Sequence, residues 1–237
     1  MDLGIAGRTA LIVGGSGLIG RAVAAALIRE RVRVVLAART ADRLTEAAGA
    51  LGAKVGTLTL DTRDANSVTP AIEELIAAEG AIDIVVNAAA PPASTLDPAK
   101  DQDPGQVLDA FDAKAVGYLR VIDAVLPYMR RTGFGRIINI SGQNAFLTRS
   151  VTGAVRNAAV IVASKALADS VAGTGITINV VNPGPVTATP TPAPGPAGPG
   201  DSTPEQVAAL VTFLASAQAA AISGESIAVG HRVHGVQ

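Results

Sequence analysis

The sequence predicts an α/β fold in which a doubly wound, mainly parallel sheet of seven strands has helices on both faces. Apolar runs of strand length alternate with stretches of helical period along the whole chain. The runs are almost continuously apolar, which is typical of parallel strands covered on both sides. Regular alternation of strands and helices favours right-handed crossovers. The 237 residues are sufficient for one domain spanning 1–237.

The elements follow from these runs and from turn and capping residues. Strands are predicted at Thr9–Val13, Val32–Ala37, Val55–Leu60, Ile82–Asn87, Arg136–Ser141, Ile176–Asn182 and Ser226–Val229. Helices are predicted at Ile19–Glu30, Ala41–Leu51, Asn66–Glu79, Gln106–Arg131, Val155–Ala172 and Pro204–Ala215. Asp64 and either Ser202 or Thr203 are expected to act as N-caps. The proline- and glycine-rich stretch at about 183–204 predicts a loop over the carboxyl edge of the sheet, with a domain linker as the alternative.

The composition excludes several classes of protein. A chain without cysteine has no disulfide, thiolate nucleophile or cysteine-ligated metal. A net charge of −1, with four Phe, two Tyr and no Trp, disfavours nucleic-acid binding. No signal peptide is visible and no apolar run approaches the roughly 20 residues that span a bilayer, so we expect a cytoplasmic protein without membrane contact. His231 and His234, the only histidines, lack a third ligand and predict no metal site.

A glycine-rich loop follows the first predicted strand and opens the first helix. It comprises Gly14, Gly15, Ser16, Gly17, Leu18, Ile19 and Gly20. Glycines permit a tight turn and close approach of the backbone to a pyrophosphate, and the helix N-terminus offers free N–H groups to phosphates. The order strand, loop, helix therefore predicts a dinucleotide site, with a purely structural turn as the alternative.

The end of the second predicted strand indicates which dinucleotide binds. A carboxylate usually holds the ribose 2′-hydroxyl of NAD near this position, and here Ala38 is followed by Arg39. An arginine suits the 2′-phosphate of NADP(H). We therefore favour NADP(H) over NAD(H), the alternative being an exposed arginine at a strand end.

Further motifs, taken in order, resemble those of the short-chain dehydrogenase/reductase family over most of the chain. They are Asp61-Thr62, the Asn87-Ala88-Ala89 segment, the strand ending at Ser141, and the segment with Pro183, Gly184, Val186 and Thr187. The resemblance implies a Rossmann-type fold and hydride transfer between NAD(P)(H) and alcohols or carbonyls. It also implies that these residues, Ser141 apart, contact the cofactor, and that Ser141 is catalytic.

The resemblance fails at the family's Tyr-x-x-x-Lys motif and its catalytic Asn. In the register that we favour, Gly153 stands at the tyrosine position, Asn157 at the lysine position and Lys114 at the asparagine position. The alternative match ending at Lys165 lies too far beyond Ser141, so Lys165 is an ordinary helix lysine. The Asn and the Lys have thus changed places, and Lys114 is expected to bring an ammonium to the same volume. The alternative is a solvated or interface lysine in a site without chemistry.

The proton donor is the open question of the sequence. Tyr118 lies one helical turn beyond Lys114 and is a candidate, with a packing role as the alternative. Tyr128 is expected to be peripheral. Gln143, Asn144, Arg149 and Arg156 are polar residues that could orient a substrate carbonyl or carboxylate; exposed loop polarity is the alternative.

Three functions follow from these residues. The first is a divergent NADP(H)-dependent oxidoreductase for a small or medium carbonyl or alcohol, with Ser141, Lys114, Asn157 and Tyr118 as the catalytic candidates. The second is a dinucleotide-binding pseudoenzyme that acts as a sensor or partner subunit. The third is a non-redox isomerase or cyclase. The resemblance also implies a homodimer or homotetramer formed through the two long helices.

Overall fold

A computed structural model describes residues 2–52, 54–146, 150–189 and 201–230. Its seven strands form one parallel sheet in the order β3-β2-β1-β4-β5-β6-β7, which confirms the predicted fold class. The strands are β1 Thr9–Val13, β2 Arg33–Ala38, β3 Gly56–Thr59, β4 Ile84–Asn87, β5 Gly135–Ile140, β6 Ile176–Pro183 and β7 Ser226–Val229. The helices are α1 Leu18–Arg29, α2 Ala41–Ala50, α3 Ala65–Glu79, α4 Pro104–Phe111, α5 Gly117–Thr132, α6 Val151–Ser170 and α7 Pro204–Ala215.

Alternate strand residues bury two apolar layers, one on each face of the sheet. Ile12 packs in the layer that α1 and α7 cover, with Leu27 and Leu214. Its neighbour Leu11 packs in the opposite layer, with Ile72 of α3 and other residues from α5 and α6. This period of two explains why the strands are apolar throughout.

The strand order reverses direction at β1, which pairs with both β2 and β4. Val13 is in register with Asn87, so the loops after β1 and β4 leave the sheet side by side. In open parallel sheets, ligands bind outside the carboxyl ends of the strands at such a switch point. The fold therefore places the candidate site at this edge.

The predicted helix Gln106–Arg131 is confirmed as one uninterrupted helical run, 104–132, which contains a π-helical turn in its middle. A π-helical segment, Asp112–Val116, separates α4 from α5. A Cβ on Gly117 would lie 3.0 Å from Thr62 Oγ1, so the glycine allows α5 to approach the loop after β3 closely. π-helical turns are frequent at functional sites because the extra residue redirects side chains. This one contains Lys114.

Helix α6 begins at Val151, four residues before the predicted start. The hydroxyl of Ser150 accepts a hydrogen bond from the Gly153 N–H and caps the helix. The caps at Asp64 and Thr203 agree with prediction, and Thr203 forms a capping box with Gln206. Helix α6 is also long and apolar enough to cross a membrane, contrary to the sequence-based expectation. It packs on the sheet through a buried face, as a core helix does.

The predicted proline-rich loop lies partly outside the described residues, which omit 190–200. Arg149, His231 and His234 also lie outside them.

Candidate active site

The glycine loop has a geometry that only glycine satisfies at two positions. Gly14 has φ +84°, and a Cβ there would lie 2.6 Å from the backbone N of Ala89. A Cβ on Gly20 would lie 2.4 Å from the Gly14 carbonyl oxygen. Gly17 precedes α1 without a side-chain cap, so the first N–H groups of the helix have no capping side chain. This backbone cradle suits a pyrophosphate.

A cleft of about 250 Å³ opens beside this loop at the carboxyl edge of the sheet. The predicted cofactor residues that line it are Gly14, Ser16, Gly17, Arg39, Asp61, Thr62, Ala88 and Ala89. Lining residues that the sequence reasoning missed are Val13, Ala38, Thr40, Arg43, Leu60, Arg63, Ala90, Pro91, Pro92 and Ala113. Arg43 lies in the first turn of α2, which begins at Ala41. The short distance from Arg39 to this predicted helix could have indicated that Arg43 also faces the cleft.

The other predicted cofactor residues do not line this cleft. Gly15 packs on the side chain of Leu36, and Gly20 packs on Gly14. Asn87 is buried and donates to Asn139 Oδ1 at 2.9 Å. The remaining six are Leu18 and Ile19 at the start of α1 and Pro183, Gly184, Val186 and Thr187 at and after the end of β6.

The part of the cleft that lies beyond the end of β2 is lined by two arginines. Arg39 and Arg43 line it and form no ion pair within the described part of the chain. Arg63, by contrast, is paired with Asp109 and Asp112. Ala38 offers no carboxylate at the end of β2. The electrostatics of this end therefore favour an anionic group.

Lys114, Ser141 and Asn157 meet beyond the cleft. Lys114 is buried and its Nζ donates to Asn157 Oδ1 at 2.6 Å and to the Ser141 carbonyl oxygen at 3.1 Å. Asn157 Nδ2 donates to the Gly153 carbonyl at 2.9 Å, which fixes the orientation of the amide. Ser141 Oγ donates to the Asn157 carbonyl at 2.9 Å. Three of the four catalytic candidates thus form one hydrogen-bonded group.

Burial and, to a lesser extent, the nearby charge of Arg156 lower the pKa of Lys114 to about 7. An amine in that range exchanges its proton close to neutral pH, unlike an exposed lysine. Such shifts are common where a side chain acts in acid–base chemistry, although structural burial alone also produces them.

Tyr118, the fourth catalytic candidate, is not part of this group. It is buried with Ala115, Val160 and Val180, and its hydroxyl donates to the Ile140 carbonyl at 3.1 Å. Burial raises its pKa, so the phenol holds its proton more tightly than in water. The burial of the phenol and its hydrogen bond to the carbonyl of Ile140, the residue before Ser141, therefore favour the packing alternative for Tyr118.

Asp101 helps to fix the start of α6, a role that was not predicted from the sequence. Its carboxylate accepts from Ser150 Oγ at 2.5 Å and from the Val151 N–H at 2.6 Å, and these bonds lower its pKa. Asp101 thereby ties the loop before α4 to the start of α6. Helix α6, which carries Gly153 and Asn157, is therefore held at its N-terminus by a residue of another segment.

The sheet order, the glycine cradle and the cleft define a dinucleotide-binding Rossmann-type protein. The short chain dehydrogenase family model matches residues 8–195. The chain belongs to this family of oxidoreductases. Neither of its tyrosines precedes a lysine by four residues, since Ile122 follows Tyr118 and Thr132 follows Tyr128 at that distance.

Two curated relatives and one solved structure illustrate the likeness. The (2S)-[(R)-hydroxy(phenyl)methyl]succinyl-CoA dehydrogenase subunit BbsC of Thauera aromatica is 32% identical over 234 residues, covering 94% of this chain and 93% of the relative. The 3-oxoacyl-[acyl-carrier-protein] reductase FabG of Salmonella typhimurium is 31% identical over 235 residues, covering 94% and 96%. The L-sorbose reductase of Gluconobacter frateurii, solved with NADPH and L-sorbose, has a TM-score of 0.83 and 26% identity, covering 100% of both chains.

Proposed function

We propose that the protein transfers hydride between NADP(H) and a small or medium carbonyl or alcohol, with Lys114, Asn157 and Ser141 at the reacting centre. The observation that carries this proposal is the 2.6 Å contact between Lys114 Nζ and Asn157 Oδ1. In the register given above, Lys114 stands at the family's asparagine position and Asn157 stands at its lysine position. The contact therefore joins the same two positions, with the two residue types exchanged. An ammonium therefore stands beside the serine strand although the lysine position of the motif holds an amide.

The residues present fit NADP(H). The glycine cradle excludes any side chain at Gly14, as close approach of a pyrophosphate requires. Arg39 and Arg43 are free to bind a 2′-phosphate, and Asp61 lines the adenosine side of the cleft. One similar structure was solved with NADPH and another with NAD⁺, so the preference for NADP(H) rests on the two arginines. When bound, the nicotinamide supplies or accepts the hydride.

Lys114 and Ser141 would supply polarisation and charge. A protonated Lys114 stabilises negative charge on a carbonyl oxygen as it becomes an alkoxide, and the buried setting strengthens that interaction. Ser141 Oγ can turn its hydrogen bond from the Asn157 carbonyl to the substrate oxygen. Because the Tyr118 hydroxyl is bound to the Ile140 carbonyl and burial raises its pKa, Lys114 or water would pass the proton.

NADPH titration combined with turnover on a broad carbonyl panel tests this proposal. We expect NADPH binding and turnover in the wild type, and loss of turnover with retained binding in Lys114→Met. Lys165→Met is the matched control, because Lys165 is an exposed lysine on α6 that pairs with Asp169. Failure to bind NADPH would contradict the proposal.

A second candidate is a dinucleotide-binding subunit without turnover of its own. The burial of Tyr118 with its hydroxyl bound to the Ile140 carbonyl favours it, and one curated relative is itself named as a dehydrogenase subunit. Tight NADPH binding without turnover on any carbonyl, unchanged by Lys114→Met, is the result that this candidate predicts.

We also propose a cytoplasmic homodimer or homotetramer. Helices α4 and α6 pack together and expose the apolar side chains of Leu108, Val151, Val155 and Val162. Removing such side chains from water favours association. Light scattering of the purified chain tests it: a monomer at micromolar concentration would contradict the proposal.

A further inference from the structure

Arg156 is a buried cation with few partners. Its relative exposure is 5% and its Nη1 donates to the Pro91 carbonyl at 3.1 Å. Its Nε is buried without a hydrogen-bond partner. Within the described ranges, Arg156 takes part in no ion pair. A buried guanidinium in this state is costly unless an anion satisfies it.

Lys114 is a second buried cation, and its Nζ contacts Asn157, the residue that follows Arg156 in α6. The two charges repel each other, since Arg156 lowers the pKa of Lys114. Among the described residues, the one charged or titratable neighbour that favours the charge on Arg156 is the Tyr118 hydroxyl, which is protonated at neutral pH. Lys114 itself contacts neutral oxygen atoms of Ser141 and Asn157. The positive charges of Arg156 and Lys114 therefore lie together, and no carboxylate of the described residues forms an ion pair with either of them.

The position of this pair connects the cleft with the serine. Pro91 follows β4 and lines the cleft, and Arg156 binds its carbonyl. Lys114 binds the backbone carbonyl of Ser141. An anion held between the two cations would thus lie beside the reacting centre.

We infer that Arg156, together with Lys114, binds the carboxylate of the substrate, so that the substrate class is an oxo acid or hydroxy acid rather than a neutral carbonyl compound. The planar guanidinium presents parallel N–H groups that match a carboxylate, and its buried Nε has no hydrogen-bond partner in the structure. The inference rests on the proposed function, because it assigns a substrate to the same centre.

Calorimetric titration with a matched pair of probes tests the inference. Butyrate and butyramide have nearly the same shape and differ in charge. We expect butyrate to bind at least about 10-fold more tightly than butyramide to the wild type, both with and without NADP⁺. Arg156→Gln should remove this preference. Arg120→Gln is the control, because Arg120 is a half-buried arginine on α5 that already has Asp112 as its partner; it should keep the preference.

A third variant covers the case in which Arg156→Gln does not fold. Arg156→Lys keeps the charge and loses the planar fork, and we expect it to weaken butyrate binding several-fold without changing that of butyramide. Equal affinities of the wild type for the two probes, or an unchanged preference in the Arg156 variants, would overturn the inference.

Turnover separates this inference from the proposed function. We expect acetoacetate to be reduced with a kcat/KM at least about 10-fold above that of acetoacetamide, and Arg156→Gln to abolish the difference. Reduction of neutral carbonyls without preference for the acid would overturn the carboxylate assignment and leave the proposed oxidoreductase standing. Absence of NADPH binding with retained butyrate preference would overturn the proposed function alone.

Discussion

The ammonium of Lys114 meets the amide oxygen of Asn157 at 2.6 Å, although the two residues belong to different helical segments. Lys114 comes from the π-helical turn before α5, and Asn157 comes from α6. The turn directs the lysine inward, and the bond from Asn157 to the Gly153 carbonyl presents the amide oxygen to it. The predictions below follow from this contact and from the charges around it.

The first prediction concerns the pH dependence of stability. Folding lowers the pKa of Lys114 from 10.5 to about 7, so the unfolded chain binds more protons between these values. The contribution of Lys114 to the free energy of unfolding therefore rises with pH across that window, by about 1 kcal/mol between pH 7 and pH 8. Urea unfolding of the wild type and Lys114→Met at several pH values measures it. A difference curve between the two that stays flat from pH 6 to pH 9 would exclude a lowered pKa.

The second prediction concerns activity and the same proton. If the charged form of Lys114 stabilises the developing alkoxide, carbonyl reduction slows as pH rises through about 7. The pH profile of kcat/KM for reduction measures it. Lys165→Met should keep the profile of the wild type. A rate that increases through this range would contradict the role given to the ammonium.

The third prediction concerns cofactor choice. Arg39→Ala and Arg43→Ala should each weaken NADPH binding by about 10-fold or more and leave NADH binding unchanged, because only NADPH has the 2′-phosphate. Fluorescence titration with both dinucleotides measures it. Arg33→Ala is the control, since Arg33 lies at the opposite end of β2. Equal losses of affinity for NADPH and NADH would show that the arginines do not bind the 2′-phosphate.

The fourth prediction concerns Tyr118. Tyr118→Phe removes a buried hydrogen bond to the Ile140 carbonyl and should lower the free energy of unfolding by about 1–2 kcal/mol. Turnover per folded molecule should be unchanged, because the phenol lies among apolar side chains. Denaturant unfolding and steady-state kinetics measure the two effects. Loss of turnover at unchanged NADPH affinity would restore the tyrosine as proton donor.

The fifth prediction restores the family's usual residues. The combination Lys114→Asn, Gly153→Tyr and Asn157→Lys should raise turnover about 100-fold by adding a general acid beside a lysine. A Cβ on Gly153 lies 3.0 Å from Ser150 Oγ, so the cap must shift slightly to admit the ring. The control carries Gly153→Phe in place of Gly153→Tyr. If both combinations have equal rates, Gly153 does not occupy the tyrosine position.

Much of the fold could be predicted from the sequence because local signals and burial agree. β1, β7 and α7 have the predicted bounds, and Thr203 caps α7. The π-helical turn between α4 and α5 could not be predicted, since the apolar period continues through it. Just after this turn, Gly117 allows α5 to approach Thr62 closely. The early start of α6 depends in part on Asp101, 50 residues away in sequence.

Site residues that belong to a sequence motif could be predicted. Those whose surroundings depend on the packing of distant segments could not. Gly14, Ser16 and Gly17 of the glycine loop line the cleft together with Arg39 and Asp61, as their positions after the strands indicate. The meeting of Lys114 with Asn157 followed from the register. The sequence could not show that Tyr118 turns into the apolar cluster, because spacing along a helix does not determine what the neighbouring helix provides.

Transfer of deuterium from the reduced nicotinamide ring of NADPH to a carbonyl product tests the central claim most directly. We predict that the wild type labels the product, that Lys165→Met does so at the same rate, and that Lys114→Met binds NADPH and labels none. Bound NADPH with no labelled product from any member of a broad carbonyl panel, in the wild type as in Lys114→Met, would contradict the assignment of hydride transfer to this site.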